Sequence, residues 1–426
     1  MQPDQKIMPR KHVRSAVSAT FRSLNHRNFR LYFIGQTISN TGNWLTLIAL
    51  TLLVLHITHS GLAIGVLAAC QYGPILFLSI WGGAIADRSD KRVLILITQS
   101  LEMVESIGLA ILAFMPHPSV MGLYIIALMG GIVFAFDSPI RRSFVSEMVP
   151  EKDVANAVII NSTIVNLSRI IGPLLAGTLI ITVGYGWCFS IDSITYIAII
   201  ISLLLMRPVE LFRQPTVQKS KNEIRAGLHY VISQPVLWIS FIILTIIGIL
   251  SYNFNVTLPL FVTDGLHKTD TTYTIIYSTM SVGSVIAALI IAHRKVVRIN
   301  QVIFGATILG CAILALAASP NVVIASIASF FVGIASILYS TSSAVLIQMQ
   351  ARADMRGRVL ALQSILIMGT TPIGGPLLGW IADNLGGRVP LIIGGVASIT
   401  AAIIGYLIYR SFHQSDTPIA VPNSIT

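Results

Sequence analysis

The chain has 426 residues, of which 54% are apolar and only 11% are charged, and its mean hydropathy is +0.80. A typical soluble domain has about 25% charged residues, so this composition excludes an ordinary soluble protein. The net charge of +11 is compatible with nucleic-acid binding, but the positions of the charges favour a membrane surface instead.

Twelve apolar stretches run along the chain, and each is long enough to cross a bilayer. A hydrocarbon core of about 30 Å needs roughly 20 apolar residues in a helix, and irregular backbone cannot face lipid. The stretches are too long and too unbroken for barrel strands. The sequence therefore predicts an all-α membrane protein. The predicted spans are 29–55, 61–86, 93–115, 120–140, 154–183, 187–206, 236–262, 273–292, 301–318, 321–345, 358–383 and 388–410.

The basic residues mark one side of these spans. All of the 28 Lys and Arg residues except Arg169, Lys268 and Arg388 lie before or at the start of the first span, in or directly next to every second loop, or at the C-terminal end of the last span. Positively charged loops stay in the cytoplasm. We therefore expect a multi-pass protein of the cell (inner) membrane with both termini in the cytoplasm, in contact with membrane lipids and not with nucleic acid.

One sizeable polar segment, 207–235, separates six spans from six spans. Within it, 223–232 predicts a short amphipathic helix on the cytoplasmic face. The predicted divisions are a basic cytoplasmic arm at 1–28, an N-terminal six-helix bundle at 29–206, a cytoplasmic linker at 207–235, a C-terminal six-helix bundle at 236–410 and a cytoplasmic tail at 411–426.

The two halves carry a similar glycine-proline element in their fifth helices. The element consists of Gly172, Pro173 and Gly177 in the fifth span, and of Gly375, Pro376 and Gly379 in the eleventh. Glycine permits close helix crossings, and proline removes an intrahelical hydrogen bond, so we expect close packing and kinks there. Repeated halves around a central site are common in secondary transporters.

The loop after the second span has a glycine, three residues, an aspartate and then a basic cluster: Gly83-Ala-Ile-Ala-Asp87-Arg88-Ser-Asp90-Lys91-Arg92. Together with the twelve spans and the repeat, this pattern resembles the signature of the major facilitator superfamily over essentially the whole chain. The resemblance implies a transporter, not an enzyme, built from two pseudo-symmetric six-helix bundles. Many members have glycine where this chain has Asp90. An acidic residue at this position resembles the corresponding position in drug and siderophore exporters of the enterobactin-exporter kind. The stretch 139–150 also resembles that subgroup.

The same loop predicts a latch on the cytoplasmic side. Gly83 permits close helix approach, and Asp87 is suited to the positive N-terminus of another helix. The resemblance gives the eleventh span as that partner. The basic residues of the loop, Arg88, Lys91 and Arg92, are expected to hold Asp137 at the end of the fourth span. The alternative is a basic loop that follows the positive-inside rule, with Asp87 in contact with solvent.

Charged groups also occur within the predicted spans. Gln99, Glu102 and Glu105 form a stripe on the third span, and Arg169 lies at similar depth in the fifth. Such groups usually pair or serve a transport pathway, and a carboxyl group in a low-dielectric site is suited to binding and releasing a proton. We therefore expect Glu102 or Glu105 to carry a coupling proton, with Arg169 modulating its affinity. A structural ion pair is the alternative. Asp192 is expected to reach the membrane interface.

Amide and aromatic side chains are the candidates for substrate contact, because the first and seventh helices line the central cavity in the resembled fold. They are Gln36, Asn40, Asn43 and Trp44 of the first span, Gln71 of the second, and Tyr252, Asn253 and Asn255 of the seventh. The alternative role for these residues is interhelical hydrogen bonding. A cavity of this kind is suited to an amphipathic or weakly charged solute.

No nucleotide-binding, metalloprotease or serine-hydrolase motif occurs in the sequence. We expect a monomeric secondary transporter with no metal and no cofactor, driven by the proton gradient. The resemblance favours export of a small amphipathic molecule, such as a drug or a siderophore, in exchange for protons. Proton-coupled uptake of a metabolite, and a sensor or assembly protein without turnover, are the alternatives.

Overall fold

The computed structural model describes residues 22–86, 88–212, 223–291, 298–352 and 355–415. These residues are almost entirely helical, and no strand occurs among them. The α-helices are α1 (Arg27–Thr58), α2 (Gly61–Ala86), α3 (Lys91–Ala113), α4 (Val120–Glu147), α5 (Val154–Thr182), α6 (Tyr185–Leu204), α7 (Glu223–Ser233), α8 (Pro235–Leu250), α9 (Phe254–Leu260), α10 (Asp270–Ile291), α11 (Ile299–Ala317), α12 (Val322–Gln350), α13 (Arg356–Gly369), α14 (Thr371–Leu385) and α15 (Val389–Ser415).

In the described part of the chain, twelve stretches of helix are long and apolar enough to cross a membrane, which confirms the predicted all-α membrane fold. Helices α1 to α6 are the first six spans. The seventh contains α8, α9 and a π-helical turn, and the eleventh contains α13 and α14. Helix α7 confirms the short helix predicted at 223–232. The fourth span was predicted too short, because α4 continues to Glu147.

Two spans are interrupted where side chains replace the regular backbone hydrogen bonds. Between α8 and α9, the Asn253 amide donates to the carbonyls of Gly248 and Ile249 at 3.1 and 2.7 Å. Between α13 and α14, the Thr370 hydroxyl donates to the Leu366 carbonyl, and Pro372 follows at the start of α14. Proline has no N–H for the helical ladder, so it is tolerated at such a start.

The described helices group into two compact units by their contacts. Of the described residues, the first unit contains those within Met1–Ala49, Phe77–Ser119 and Met129–Val217, and the second contains those within Leu50–Leu76, Val120–Leu128 and Gln218–Thr426. Parts of α1, α2 and α4 therefore group with the C-terminal half. A division of the chain at 207–235 would assign these parts to the N-terminal half. The two bundles at 29–206 and 236–410 remain a prediction.

Helix α3 in the first unit is polar on the side that faces protein and apolar on the other. Its buried polar side chains are Thr98, Gln99, Glu102 and Ser106. Its exposed apolar side chains are Ile97, Leu101, Val104, Ile107 and Ile111. This arrangement suits a helix that contacts lipid, because in a membrane the polar groups are the ones that need protein partners.

Glycines allow close helix crossings in both units. In the second unit, α2 crosses α14, and a methyl group at Gly61, Gly65 or Gly379 would overlap the backbone of the opposite helix. The Gly375 backbone lies at the same crossing, so Gly375 and Gly379 both lie where α14 meets α2.

In the first unit, Gly172 of α5 lies against Trp44 of α1, as predicted, and Gly177 is buried on the same helix. The structure continues as helix through Pro173 and through Pro376. The interruption of the eleventh span lies instead at Thr370, so the kinks at these two prolines remain a prediction.

We expect Gly65→Ala to destabilise the protein by about 1–3 kcal/mol, because a methyl group there would lie 2.5 Å from the Gly375 carbonyl oxygen. The matched control is Gly73→Ala on the same helix, where nothing lies within 4 Å. That substitution gains up to about 1 kcal/mol of helix propensity. Thermal unfolding in detergent micelles measures the two variants. Equal melting temperatures for both would contradict a close crossing of α2 and α14.

Candidate functional site

A buried cluster of charged and polar side chains joins α3 to α4. Glu102 of α3 is 3% exposed and Asp137 of α4 is fully buried. Arg141 follows Asp137 by one helical turn on α4, so the two side chains lie on the same face. Its guanidinium forms an ion pair with Asp137, with an Nε–Oδ2 distance of 2.7 Å. Its Nη2 atom, which also contacts Asp137, is 3.8 Å from the Glu102 carboxylate.

Neutral donors complete the cluster. The Thr98 hydroxyl donates to Asp137 at 2.6 Å, and the Gln99 amide donates to Glu102 at 2.7 Å. The Ser39 hydroxyl of α1 donates to the Gln99 carbonyl oxygen at 3.4 Å. Two spans thus form one hydrogen-bonded site, to which Ser39 links α1, and we call this site the Glu102 cluster: Glu102, Asp137, Arg141, Thr98 and Gln99.

The charges of the Glu102 cluster do not balance when every group is ionised. Two carboxylates share one guanidinium, which leaves a net charge of −1 in a site that excludes water. A low-dielectric environment disfavours uncompensated charge, and addition of one proton makes the site neutral. The geometry favours Glu102 as the site of this proton, because Asp137 holds the direct ion pair with Arg141.

The sequence predicted Arg169 as the cation that acts on Glu102, but the cation beside Glu102 in the structure is Arg141. The Arg169 guanidinium lies over the Trp44 ring, 5.1 Å from its centre, and forms no ion pair within the described parts of the chain. Arg141 was missed because the fourth span was predicted to end at residue 140. The spacing of Asp137 and Arg141, four residues apart, is a helical ion-pair signal that could have identified it.

Two more carboxyl groups lie further along the same helical interface. Glu105 lies against Gly130 of α4, where a methyl group would overlap its carboxylate. Asp192 of α6 is fully buried, which corrects the expectation that it reaches the interface. Hydroxyls of Thr46 and Ser106 each donate to Asp192 at 2.7 Å. These donors replace water, so the carboxyl group is satisfied inside the bundle.

The basic loop after α2 does not hold Asp137 in the described structure. Lys91 forms an ion pair with Glu147 at the end of α4. Arg92 donates to the carbonyls of Leu203 and Leu204 at the C-terminal end of α6. The prediction about Asp137 was wrong because its own helix supplies Arg141, one turn away, at lower entropic cost.

Other parts of the predicted latch are only partly within the described structure. Gly83 is helical in α2 and Arg88 is exposed, whereas Asp87 lies outside the described residues. Asp90 caps α3, because its carboxylate accepts from the backbone N–H groups of Arg92 and Val93. A link from Asp87 to the eleventh span therefore remains a prediction.

The first-unit candidates for substrate contact form a stripe on α1. Gln36 is buried, and its amide donates to the Asn40 side chain at 2.8 Å. The side-chain oxygen of Gln36 itself, Oε1, is buried and has no hydrogen-bond partner. Asn40, Asn43 and Trp44 are half-buried. The stripe thus has an unused acceptor, as expected for contact with a ligand.

Some of the second-unit candidates for substrate contact form hydrogen bonds to the protein itself. Asn253 caps the break before α9, and the Tyr252 hydroxyl donates to the Ser336 carbonyl of α12 at 3.0 Å. Interhelical hydrogen bonding, the alternative interpretation, therefore describes Tyr252, whereas the Asn253 amide bonds within its own span. Asn253 Oδ1 has no partner, and Asn255 and Gln71 are half-buried, which leaves polar groups for a ligand.

A contact that the sequence interpretation missed joins α14 to the start of α2. The Asp383 carboxylate accepts from the Ser60 hydroxyl at 2.7 Å and from the Leu62 N–H at 2.9 Å, and the Gly61 N–H also donates to it. An anion is favourable at a helix N-terminus. The signal was present, because Gly-Trp-Ile-Ala-Asp at 379–383 repeats Gly-Ala-Ile-Ala-Asp at 83–87.

Comparison with known proteins gives a family match over most of the chain. Residues 18–419 match the family described as transmembrane secretion effector. The chain is similar to the staphyloferrin A transporter of Staphylococcus aureus, with 26% identity over 390 residues that cover 89% of this chain and 96% of the relative. It is also similar to the enterobactin exporter of Shigella flexneri, with 24% identity over 212 residues that cover 50% of this chain and 52% of that protein.

Solved structures share the fold. A bacterial homologue of the human lysosomal transporter Spinster, inward-facing and unoccupied, matches with a TM-score of 0.72 and 14% identity, covering 91% of this chain and 98% of that chain. The nucleoside transporter NupG matches with a TM-score of 0.72 and 13% identity, covering 90% of this chain and 98% of that chain. At this level of identity the likeness concerns architecture alone.

We expect Arg141→Gln to destabilise the protein by about 3–5 kcal/mol, because it leaves two buried carboxyl groups without their cation. Unfolding in detergent, followed by tryptophan fluorescence, measures the loss. The control is Arg207→Gln, which breaks an exposed ion pair with Glu210 and changes stability by about 0–1 kcal/mol. The double variant Asp137→Asn/Arg141→Gln recovers part of the loss. Equal effects of the two single substitutions would contradict a buried pair.

We expect Asp383→Ala to weaken the start of α2 by about 0.5–2 kcal/mol, the usual effect of losing a helix cap. Hydrogen exchange at the amides of Gly61 and Leu62 measures this change directly, because both donate to Asp383. Asn384→Ala is the control, since that side chain bonds only within its own helix, to Trp380. Unaltered exchange in Asp383→Ala would show that the carboxylate is not the cap.

Proposed function

Because this chain belongs to the transmembrane secretion effector family, within the major facilitator superfamily, we propose that it exports a small amphipathic compound, such as a siderophore or a drug, in exchange for protons. It is a membrane transporter of the major facilitator type and not an enzyme. The direction of transport and the coupling ion are the proposed part. Export is supported by the similarity to an enterobactin exporter, and a siderophore cargo by both of the named relatives.

The observation that carries proton coupling is the imbalance of charge in the Glu102 cluster. Glu102 is 3% exposed and lies 3.8 Å from a guanidinium that another carboxylate already neutralises. A proton on Glu102 makes the site neutral, and its release leaves one negative charge in a low-dielectric interior. The two protonation states therefore differ strongly in electrostatic energy. A conformational change that alters solvent access to Glu102 is then linked to proton binding and release.

The residues around Glu102 have separate roles in this proposal. Arg141 and Asp137 form the fixed ion pair that sets the local field. Gln99 orients the Glu102 carboxylate through a hydrogen bond of 2.7 Å. Glu105 lies one turn further along α3 and is the second candidate for the coupling proton. Energy comes from the proton gradient in this scheme, with no cofactor.

The cargo contacts in this proposal are amides and aromatic rings. In the first unit they are the α1 stripe of Gln36, Asn40, Asn43 and Trp44; in the second unit they are Gln71, Tyr252, Asn253 and Asn255. We further propose that the transporter acts as a monomer in the inner membrane, with both termini in the cytoplasm. The charge distribution supports this orientation.

We expect Glu102→Gln to lose transport that is driven by a pH gradient while keeping energetically downhill exchange of cargo, because glutamine imitates a permanently protonated carboxyl group. Purified protein in proteoliposomes is assayed with staphyloferrin A and with enterobactin. Uphill transport by Glu102→Gln falls about tenfold or more, and Glu105→Gln is the matched comparison on the same helix. Full pH-driven transport in both variants would remove these carboxyl groups from the coupling mechanism.

The direction of the imposed gradient separates the proposed function from its alternatives. Antiport accumulates cargo in vesicles whose lumen is acidic, whereas proton symport accumulates it when the outside is acidic. A sensor or assembly protein moves neither compound under any gradient.

A further inference from the structure

Arg169 is a cation in the middle of a membrane span, and no acidic side chain of the described residues neutralises it. It lies near the centre of α5, and no carboxylate oxygen in the described ranges is within 4.0 Å of its nitrogens. Its Nε atom is buried and has no hydrogen-bond partner. Arg141, by contrast, pairs with Asp137. An unneutralised cation within a span is unfavourable, and such residues usually serve a transport pathway.

Trp44 holds this guanidinium in place. The Arg169 guanidinium carbon lies 5.1 Å from the centre of the indole ring, within the range of a cation–π contact. Gly172 of α5 lies against the Trp44 Cβ atom, so the base of this side chain packs closely against the helix that carries Arg169. A guanidinium over an aromatic face keeps its in-plane N–H groups available, and these match the two oxygens of a carboxylate. The Arg169 guanidinium is therefore held in position, and its N–H groups are available to donate hydrogen bonds to an anion.

A second unsatisfied group lies on the same face of α1 as Trp44. Gln36 is 1% exposed, and its Oε1 atom accepts no hydrogen bond, while its Nε2 donates to Asn40. Residues 36, 40 and 44 are four apart, so they lie along one stripe. At 1.5 Å per residue, Gln36 and Trp44 are roughly 12 Å apart along the helix. An acceptor at that distance suits a hydroxyl or amide donor of a ligand.

We propose that Arg169 and Trp44 bind the anionic group of the cargo, a carboxylate or another planar oxyanion, and that Gln36 accepts a hydrogen bond from a hydroxyl or amide of the same molecule. The cargo is then an amphipathic acid that also carries a neutral donor. This inference rests on the proposed function, since it takes the α1 stripe to be a cargo site. It gives Arg169 a role in cargo binding that is separate from the proton site at Glu102.

The test compares acids with their own primary amides, which differ in charge and little in size. The probes are salicylate with salicylamide, naphthoate with naphthamide, and dodecanoate with dodecanamide. Binding to the purified full-length protein is measured by quenching of tryptophan fluorescence and by thermal shift. We expect at least one acid to bind at least about tenfold more tightly than its amide, as for other buried charge pairs. We expect its quenching signal to be lost in Trp44→Phe.

The substitutions at Arg169 decide the inference. Arg169→Gln is expected to bind the acid and the amide equally, and Arg169→Lys to keep part of the preference, because lysine keeps the charge but not the bidentate geometry. The control Arg30→Gln changes an exposed arginine of the same unit and keeps the full preference.

An acid preference that survives in Arg169→Gln overturns the inference, as does equal binding of acid and amide, or binding of no acid, in the unsubstituted protein. None of these results affects proton coupling, which is measured separately through Glu102 and pH-driven transport. If the unsubstituted protein and its variants all lack pH-driven transport while the preference for the acid is retained, proton coupling is rejected and the anion site stands.

Discussion

The structure depends on one constraint, which is that a charged group inside a bilayer is unfavourable unless a partner compensates its charge. The ion pair of Asp137 and Arg141 is the clearest case, because both side chains come from one turn of α4 and are buried against α3. Water is not available there to compensate either charge. The same constraint explains why α3 is polar on its inner side and why Asp192 is surrounded by hydroxyl donors. Polar contacts hold these spans in register, whereas apolar side chains face outward.

Close packing of backbones is the second source of cohesion, and it follows from the same environment. Lipid tails are as apolar as leucine, so burial of apolar surface contributes little to association between spans. Glycine instead lets backbones meet, as at Gly65 and Gly375 in the second unit and at Gly172 in the first. At the α2–α14 crossing, Asp383 adds an electrostatic contact to the N-terminus of α2. Packing and capping thus reinforce each other where the helices approach most closely.

The structure divides the intramembrane charges between two sites with different chemistry. Glu102 lies beside a cation that is already neutralised, an arrangement suited to binding and releasing a proton. Arg169 lies over an indole ring with a buried, unpaired nitrogen, an arrangement suited to an external anion. A transporter that exchanges protons for an acidic cargo needs both kinds of group. Because they lie on different helices, α3 and α5, each is open to substitution without removal of the other.

The sequence by itself determined the number of spans, the approximate bounds of most of them, and the position of Glu102 and Glu105 within the third span, because hydropathy and charge are summed over many residues and tolerate local errors. It did not determine which charges meet. Because α4 continues to Glu147, Arg141 lies on the same helix face as Asp137 and is the cation beside both Asp137 and Glu102, while Arg169 lies over Trp44 instead. Only the tertiary structure decided these pairings, since an ion pair depends on helix ends and rotations at the scale of single residues, and apolar periodicity does not specify them.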